Sequence, residues 1–312
     1  MTDRFPAIDR AHILRRDESW VQARLSDSKA SVAPVAGTNV LVTLDDPPRP
    51  LLLTHGEIAE HGIAVDQLIL LGLRDGATFL AAGIANEQVL EDLIGQRGAW
   101  ADLRKLGFLF ESWEGDVARL AKAMVHWHRR YRFCGDCGAP TRSSHGGFVL
   151  VCTDPSCGRE HYPRTDPAVI VLITHGKDAL LARQPVWVKG RYSAVAGFVE
   201  PGESLEQTVI REVQEETGLL VGDVRYRFSQ AWPFPGTLMT AFNAMAEDCS
   251  ITRDEGELED ARWFSRTQLH DALVARSVTL PSPFAAGFRL ISEWFDADGS
   301  DLCSIVRQVQ TG

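Results

Sequence analysis

An α/β fold divided among more than one domain is predicted by three features of the sequence. Short apolar runs broken by polar, Pro or Gly residues fill positions 38–84. A continuous apolar run, AVIVLITH from Ala168 to His175, suits a strand buried on both faces. A Gly-, Pro- and Glu-rich segment follows, in which Leu205, Val209 and Val213 recur every four residues and give a helix its buried stripe. With 312 residues, 45% hydrophobic and 24% charged, the chain is long enough for two domains with cores of their own. A net charge of -10 argues against sequence-independent nucleic-acid binding over the whole surface and leaves room only for local basic patches.

The runs NVLVTL, RPLLLTH, DQLILLGL and TFLAAGI read as strands of a small N-terminal sheet. Between about 87 and 127 the apolar spacing lengthens, and Val117, Leu120, Ala121 and Met124 mark one amphipathic helix. From 128 to 165 the composition shifts to Cys, Gly, Pro, Arg and His, as in a small metal-stapled module or a linker. The expected divisions are an α+β domain over 1–128, a cysteine module over 129–164 and an α/β domain over 165–312. The last forty residues read as helix carrying Phe284, Phe288, Trp294 and Phe295. The N-terminus, MTDRFPAIDRAHILRRDE, has no apolar core of a signal peptide, and no later run approaches the roughly 18 apolar residues of a membrane span. No membrane partner and a cytoplasmic location are therefore expected.

Four of the six cysteines cluster as C-x2-C-x14-C-x4-C at Cys134, Cys137, Cys152 and Cys157. Four thiolates complete a tetrahedral shell around Zn2+ and leave no position for water, so such a site is structural. Free thiols or a disulfide pair are the alternatives, and His145 or His161 stands ready to replace Cys157 in the looser second knuckle. Cys249 and Cys303 have no partner at a useful spacing and read as small core residues. Just upstream, HWHRRYRF from His126 to Phe133 mixes cations with aromatics, which suits either a phosphate backbone or a solvated helix end.

The strongest pattern is G-x5-E-x7-R-E-V-x-E-E-x-G-L, formed by Gly197, Glu203, Arg211, Glu212, Val213, Glu215, Glu216, Gly218 and Leu219. Ser204 can cap a helix running to about Thr217, Gln207 completes a capping box, and Gly218 ends the helix in a left-handed conformation. Glu212 and Glu216 lie one turn apart with Glu215 beside them, and Arg211 sits four residues before Glu215, which it can neutralise. Such a carboxylate patch suits a hard divalent cation, Mg2+ or Mn2+. A merely solvated acidic face leaves the flanking glycines unexplained.

In these residues the chain resembles the Nudix hydrolases over about 165 to 295. The resemblance implies an α/β/α sandwich around a mixed sheet, with Glu212 and Glu216 as metal ligands and Glu215 as ligand or base. It further implies support from Glu203 and Arg211 and a backbone carbonyl at Ala196 in the metal shell. The family cleaves a nucleoside diphosphate linked to a further group by attack of water on phosphorus.

Ten residues past Leu219 begins SQAWPFPGTLM, where two prolines and a glycine rule out regular helix and fix Trp232 and Phe234 at set angles. These aromatics either stack on a flat ring or plug into the core. The loop resembles the SQPWPFPxS signature of the NADH pyrophosphatase, or NudC-type, subfamily, with Ala231 in place of Pro and Thr237 in place of Ser. Members hydrolyse NAD(H) to a nicotinamide mononucleotide and AMP, and bacterial members remove NAD caps from RNA. They carry a four-cysteine zinc ribbon before the Nudix domain and favour a homodimer.

That resemblance implies substrate contacts from Gln230, Ala231, Trp232, Pro233, Phe234, Pro235, Gly236 and Thr237, and a metal-site glutamate at Glu257 in GELEDARWF. It also brings forward Tyr162 in HYP, with a strand residue leaving the ribbon as the alternative, and Phe198, with a core residue as the alternative. Arg104 either reaches a substrate phosphate or is a surface arginine, and the Ala286 and Gly287 backbone is a further contact. The function implied is metal-dependent NAD(H) hydrolysis with removal of NAD caps from RNA. Its rivals are a Nudix pyrophosphatase for ADP-ribose or dinucleoside polyphosphates and a non-catalytic zinc-ribbon RNA-binding regulator.

Overall fold

A computed structural model describes residues 8–63, 67–106 and 113–311. The first seven residues of the N-terminal stretch and Asp66 of the DQLILLGL run lie outside them. The chain forms two compact units, one of Met1–Arg164 with Pro233–Gly236 and one of Thr165–Trp232 with Thr237–Gly312.

The first unit is built on a six-stranded sheet of β1 (Ser31–Ala36), β2 (Asn39–Thr43), β3 (Leu53–Thr54), β4 (Leu68–Arg74), β5 (Ala77–Gly83) and β6 (Gly98–Asp102). Its order is β4-β5-β1-β2-β6, with β3 beside β1, and only β1 and β5 run parallel among these pairs. Both faces are covered, which is why its strands read as unbroken apolar runs rather than as alternations. Ile69 and Leu71 pack with Val117, Ala121, Met124 and Val125 of the helix Trp113–Arg130. Leu68 and Leu70 point the other way, onto Val21, Leu25, Ile58 and Leu90. Strands β1 and β6 are absent from the runs marked by composition, because Pro34 and Gly98 argue against strand. Pro34 is tolerated since β3 pairs with Ser31 and Val32 and β2 with Val35 and Ala36, leaving it between the two partners.

The cysteine module adds a three-stranded sheet of β7 (Thr141–Ser144), β8 (Val149–Cys152) and β9 (Glu160–His161). The helix Trp113–Arg130 runs past position 128 into the expected module, so HWHRR is helical.

In the second unit, β10 (Asp166–His175), β11 (Asp178–Arg183), β12 (Val195–Phe198), β13 (Val221–Trp232), β14 (Thr237–Ala246) and β15 (Asp260–Phe264) form a mixed sheet of order β13-β14-β10-β11-β15. β12 lies against β10, and β10 and β14 are parallel. One face carries the helix Leu205–Thr217, whose Val209 and Val213 bury against Val169, Val171 and Phe242. Each such side chain contributes about 1.5–3 kcal/mol of burial. The other face carries the helices Arg266–Val274, Ala286–Phe295 and Leu302–Thr311 on Ile170, Leu172 and Ala241. This is the α/β/α sandwich that the resemblance implies. Of the C-terminal forty residues, 275–285, with Phe284, are not helical, and the helices Ala286–Phe295 and Leu302–Thr311 are divided by the turn Asp296–Asp298 and by Gly299 at φ 94°.

Candidate active site and metal centres

The glutamate helix is fixed at both ends by its own sequence. Ser204 Oγ accepts from Gln207 N at 3.2 Å while Gln207 Oε1 accepts from Ser204 N at 2.8 Å, closing the capping box. Gly218 ends the helix at φ 71° and donates to Gln214 O at 2.9 Å. Within this frame Glu212 and Glu216 face inward, 8% and 3% exposed, whereas Glu215 is exposed.

Gly197 on β12 explains how a carboxylate fits there. A Cβ at this glycine would stand 1.8 Å from Glu212 Cδ, so the Glu212 carboxylate occupies the space that any other residue would fill. Ala196, the preceding residue, pairs with Ile170 of β10 and is held in the same strand.

Arg211 is the hub of the outer side. Its Nε and Nη2 donate to Glu203 Oε1 and Oε2 at 2.6 and 3.0 Å, its Nη1 to Glu215 Oε2 at 2.8 Å, and its Nη2 to the Phe198 carbonyl at 2.9 Å. Nη1 also lies 3.0 Å from Glu212 Oε1. The sequence spacing predicts the pair with Glu215; the stronger, bidentate partner is Glu203, which lies before the helix and outside any helical spacing. Glu203 Oε2 further accepts from Glu200 N and Thr208 Oγ1 at 3.0 and 2.8 Å. The hydrogen bonds from Arg211 lead in holding the Glu203 carboxyl down to about 2.

Among the described residues Glu216 has no such cation. Burial, then the charges of Glu212, Glu257, Asp254 and Glu215, push its carboxyl up to about 8. Burial likewise raises Glu212, opposed by Arg211. Exposed Glu257 is thus near enough to act on both buried carboxylates. So is Asp254 on Glu216, and its N–H donates to the Glu216 carbonyl at 3.1 Å. Asp254 lies in the acidic run around Glu257, whose composition resembles an exposed surface stretch. Among the described residues no three of these carboxylates bring donor oxygens within 4.8 Å of one another. Partly buried oxygen donors, with Arg211 reaching Glu212 and Glu215 but no cation among the groups that act on Glu216, fit a hard divalent ion.

The four cysteines do close. Their Sγ atoms all lie within 4.8 Å of one another, with Cys134–Cys157 at 3.8 Å and Cys137–Cys152 at 3.4 Å. Tetrahedral Zn2+ with Zn–S near 2.3 Å needs sulfurs about 3.8 Å apart, so the quartet fits. Backbone N–H groups of Cys137 and Asp136 lead in lowering the Cys134 thiol to about 6, as a thiolate ligand requires. Cys157 points into the quartet; His161 stays outside it, with Nε2 3.4 Å from Cys134 Sγ.

The residues expected to bind substrate fall into distinct settings. Phe198 is 60% exposed, which excludes a core role, and Tyr162 is 62% exposed with its hydroxyl donating to Glu160. Gln230 is committed to the protein: its Nε2 donates to the Phe284 carbonyl at 2.7 Å and its Oε1 accepts from Ala286 N at 3.0 Å. It thereby pins the backbone before Gly287, where a Cβ would meet Ser193 Oγ at 2.5 Å. Ala231 and Trp232 end β13, Thr237 is buried at the start of β14, and Pro233–Gly236 makes the turn between them.

In the first unit, Arg104, Lys122, His126, Arg129 and Arg130 line a cavity of about 440 Å³ with Phe234 and Pro235. Arg104 is an exposed arginine bound through Nε and Nη2 to Asp102, and it also faces this cavity. The HWHRRYRF segment is thereby split: Trp127 is in the core, His128 bonds the Gly147 carbonyl at 2.7 Å, and the remaining helical cations line the cavity. Lys122 had no signal in the sequence beyond being a lysine on an otherwise apolar helix face.

The mixed sheet, its capped glutamate helix and the Arg211 hub are those of a Nudix hydrolase, and the NUDIX domain matches residues 164–281. The NADH pyrophosphatase zinc ribbon domain matches residues 129–162. The chain is 40% identical over 230 residues to the NAD-capped RNA hydrolase NudC of Chromobacterium violaceum, covering 74% of this chain and 81% of that protein. It is 35% identical over 293 residues to the chloroplastic Nudix hydrolase 19 of Arabidopsis thaliana, covering 77% and 67%. To the NAD-capped RNA hydrolase NudC of Mycobacterium tuberculosis it is 40% identical over 203 residues, covering 62% and 64%. The chain belongs to the NudC-type family of NADH pyrophosphatases and NAD-capped RNA hydrolases within the Nudix hydrolases. Among the described residues no helix is long and apolar enough to cross a membrane.

Proposed function

We propose that this hydrolase cleaves the pyrophosphate bond of NAD(H), releasing a nicotinamide mononucleotide and AMP, and removes NAD caps from RNA to leave a 5'-monophosphate. The observation that carries the reading is the pair of buried carboxylates, Glu212 set against Gly197 and Glu216 with no protein cation among the described residues. Glu212, Glu216, Glu257 and the Ala196 carbonyl would hold Mg2+ or Mn2+. Bound there, the ion supplies a lowered water pKa and neutralises charge on the phosphate oxygens.

The chain's own residues do the rest. Arg211 holds Glu215 at the edge of the carboxylate cluster, where it can accept a proton from water, and Glu203 fixes Arg211 by two hydrogen bonds. The exposed ring of Phe198 offers a stacking face for nicotinamide or adenine. Trp232 and the Thr237 hydroxyl, Tyr162 and the Gly287 backbone supply further contacts, while Gln230 holds Ala286 and Gly287 in place. In the first unit Arg104, with Phe234 and Pro235, is a candidate phosphate and ring contact. The cysteine quartet would hold one structural Zn2+. A homodimer, a cytoplasmic location and division at 128/129 and 164/165 belong to the same reading.

Incubation with NADH, NAD, ADP-ribose and NAD-capped RNA in Mn2+, with products resolved by chromatography, tests the substrate. AMP and reduced nicotinamide mononucleotide from NADH are expected, with slower turnover of ADP-ribose. Preferential cleavage of ADP-ribose would transfer the chain to the rival pyrophosphatase reading.

A further inference from the structure

Lys122 lies on the core-facing side of the helix Trp113–Arg130, flanked along that face by Ala118, Ala121 and Val125, and is only 2% exposed. Among the described residues no carboxylate forms an ion pair with it; Asp102, the acid that acts on it, is bound to Arg104. Burial, then the charge of Arg104, push its ammonium down to about 8. A buried cation without an anion is costly, and a methionine or leucine would fill the same space at less cost.

What the ammonium does touch is the turn Pro233–Gly236. It donates a hydrogen bond to the Pro233 carbonyl and stands 4.8 Å from the centroid of the Phe234 ring. The β13–β14 ladder ends at the pair Trp232 and Thr237, so the Pro233 carbonyl lies beyond it. Pro233 is buried, and Phe234 packs on the core of the first unit. A carbonyl and a ring face held from one point define the orientation of both residues.

We infer that Lys122 is a positioning residue for substrate selection: its ammonium sets the Pro233–Phe234 turn, and through it the flanking Trp232 and Thr237 that meet the dinucleotide. This rests on the assignment of that loop to substrate binding proposed above. Lys122 itself touches neither metal ligand nor reacting atom.

The test compares Lys122→Met and Lys122→Arg with the wild-type chain. Met keeps the aliphatic length and removes the charge, so the melting temperature should stay or rise while KM for NADH rises about tenfold and kcat changes less than about twofold. Arg retains a donor and should recover part of the KM. Hydrogen–deuterium exchange gives a readout independent of substrate: peptides spanning 229–239 should exchange faster in Lys122→Met, with the helix 113–130 unchanged. Unaltered exchange at 229–239 would overturn the positioning role, as would an unchanged KM with an active wild type. A loss of kcat together with melting temperature would reduce Lys122 to a structural residue. If the wild-type chain leaves NADH intact, it is the substrate reading that fails, and the exchange result still decides the turn.

Discussion

Gly197 and Glu212 are in such close contact that a Cβ on the glycine would overlap the carboxylate, at 1.8 Å from Cδ and 1.9 Å from Oε1. The first glycine of the signature therefore acts through the side chain of a glutamate fifteen positions later, not through its own backbone freedom. β12 and the helix Leu205–Thr217 are thereby packed with the Glu212 carboxylate directly against the strand residue that follows Ala196.

Gly197→Ala should displace the Glu212 carboxylate while leaving the sheet intact. Steady-state kinetics should show a loss of turnover on the order of 100-fold, the scale of a misplacement near 1 Å. Far-UV circular dichroism should be unchanged. Wild-type turnover in this variant would mean that Glu212 does not work from the position it occupies here.

The Glu203–Arg211 bond makes a pH-dependent contribution to stability with a definite sign. The Glu203 carboxyl is lowered from 4.5 to about 2, first by the Arg211 hydrogen bond, so the folded state holds the charged form more tightly than the unfolded chain does. Its stabilisation is fully present above pH 4.5 and is lost as pH falls through about 2. Thermal melts of wild type and Glu203→Gln between pH 6 and 2 should differ most at the upper end and converge at the lower. A gap independent of pH would assign the loss to packing.

Zinc in the ribbon should be measurable directly. One equivalent per chain is expected on release with a thiol-modifying reagent. Cys134→Ser should release it and lower the melting temperature by at least about 5 °C, the shift of about 1 kcal/mol in a small domain. A metal-free chain with an unchanged melt would leave the four sulfurs as free thiols.

The second unit was legible because its chemistry is local in sequence. Ser204, Gln207 and Gly218 are cap residues whose geometry is set within one turn, and Glu212 with Glu216 follows from helical spacing. The cysteine quartet was equally legible, since its ligands lie on two short knuckles. What spacing could not supply were contacts made across the chain. Glu203 is bidentate to Arg211 from a loop, Asp254 reaches Glu216 from an acidic run that resembles surface, and Lys122 meets Pro233, 111 positions away. In the N-terminal sheet, β1 was hidden by Pro34, whose tolerance depends on which edge of the strand is paired.

Glu212 and Glu216 are proposed as the metal-dependent catalytic centre of an NAD(H) pyrophosphatase. That assignment is tested most directly by the rate of AMP release from NADH in Mn2+, for the wild-type chain and for Glu216→Gln. AMP and reduced nicotinamide mononucleotide are expected in equal amounts from the wild type. In the variant the rate should fall by about 100- to 1,000-fold, the scale of lost electrostatic stabilisation, with its thermal melt retained. No AMP from the wild type, or a near-normal rate from Glu216→Gln, would contradict it.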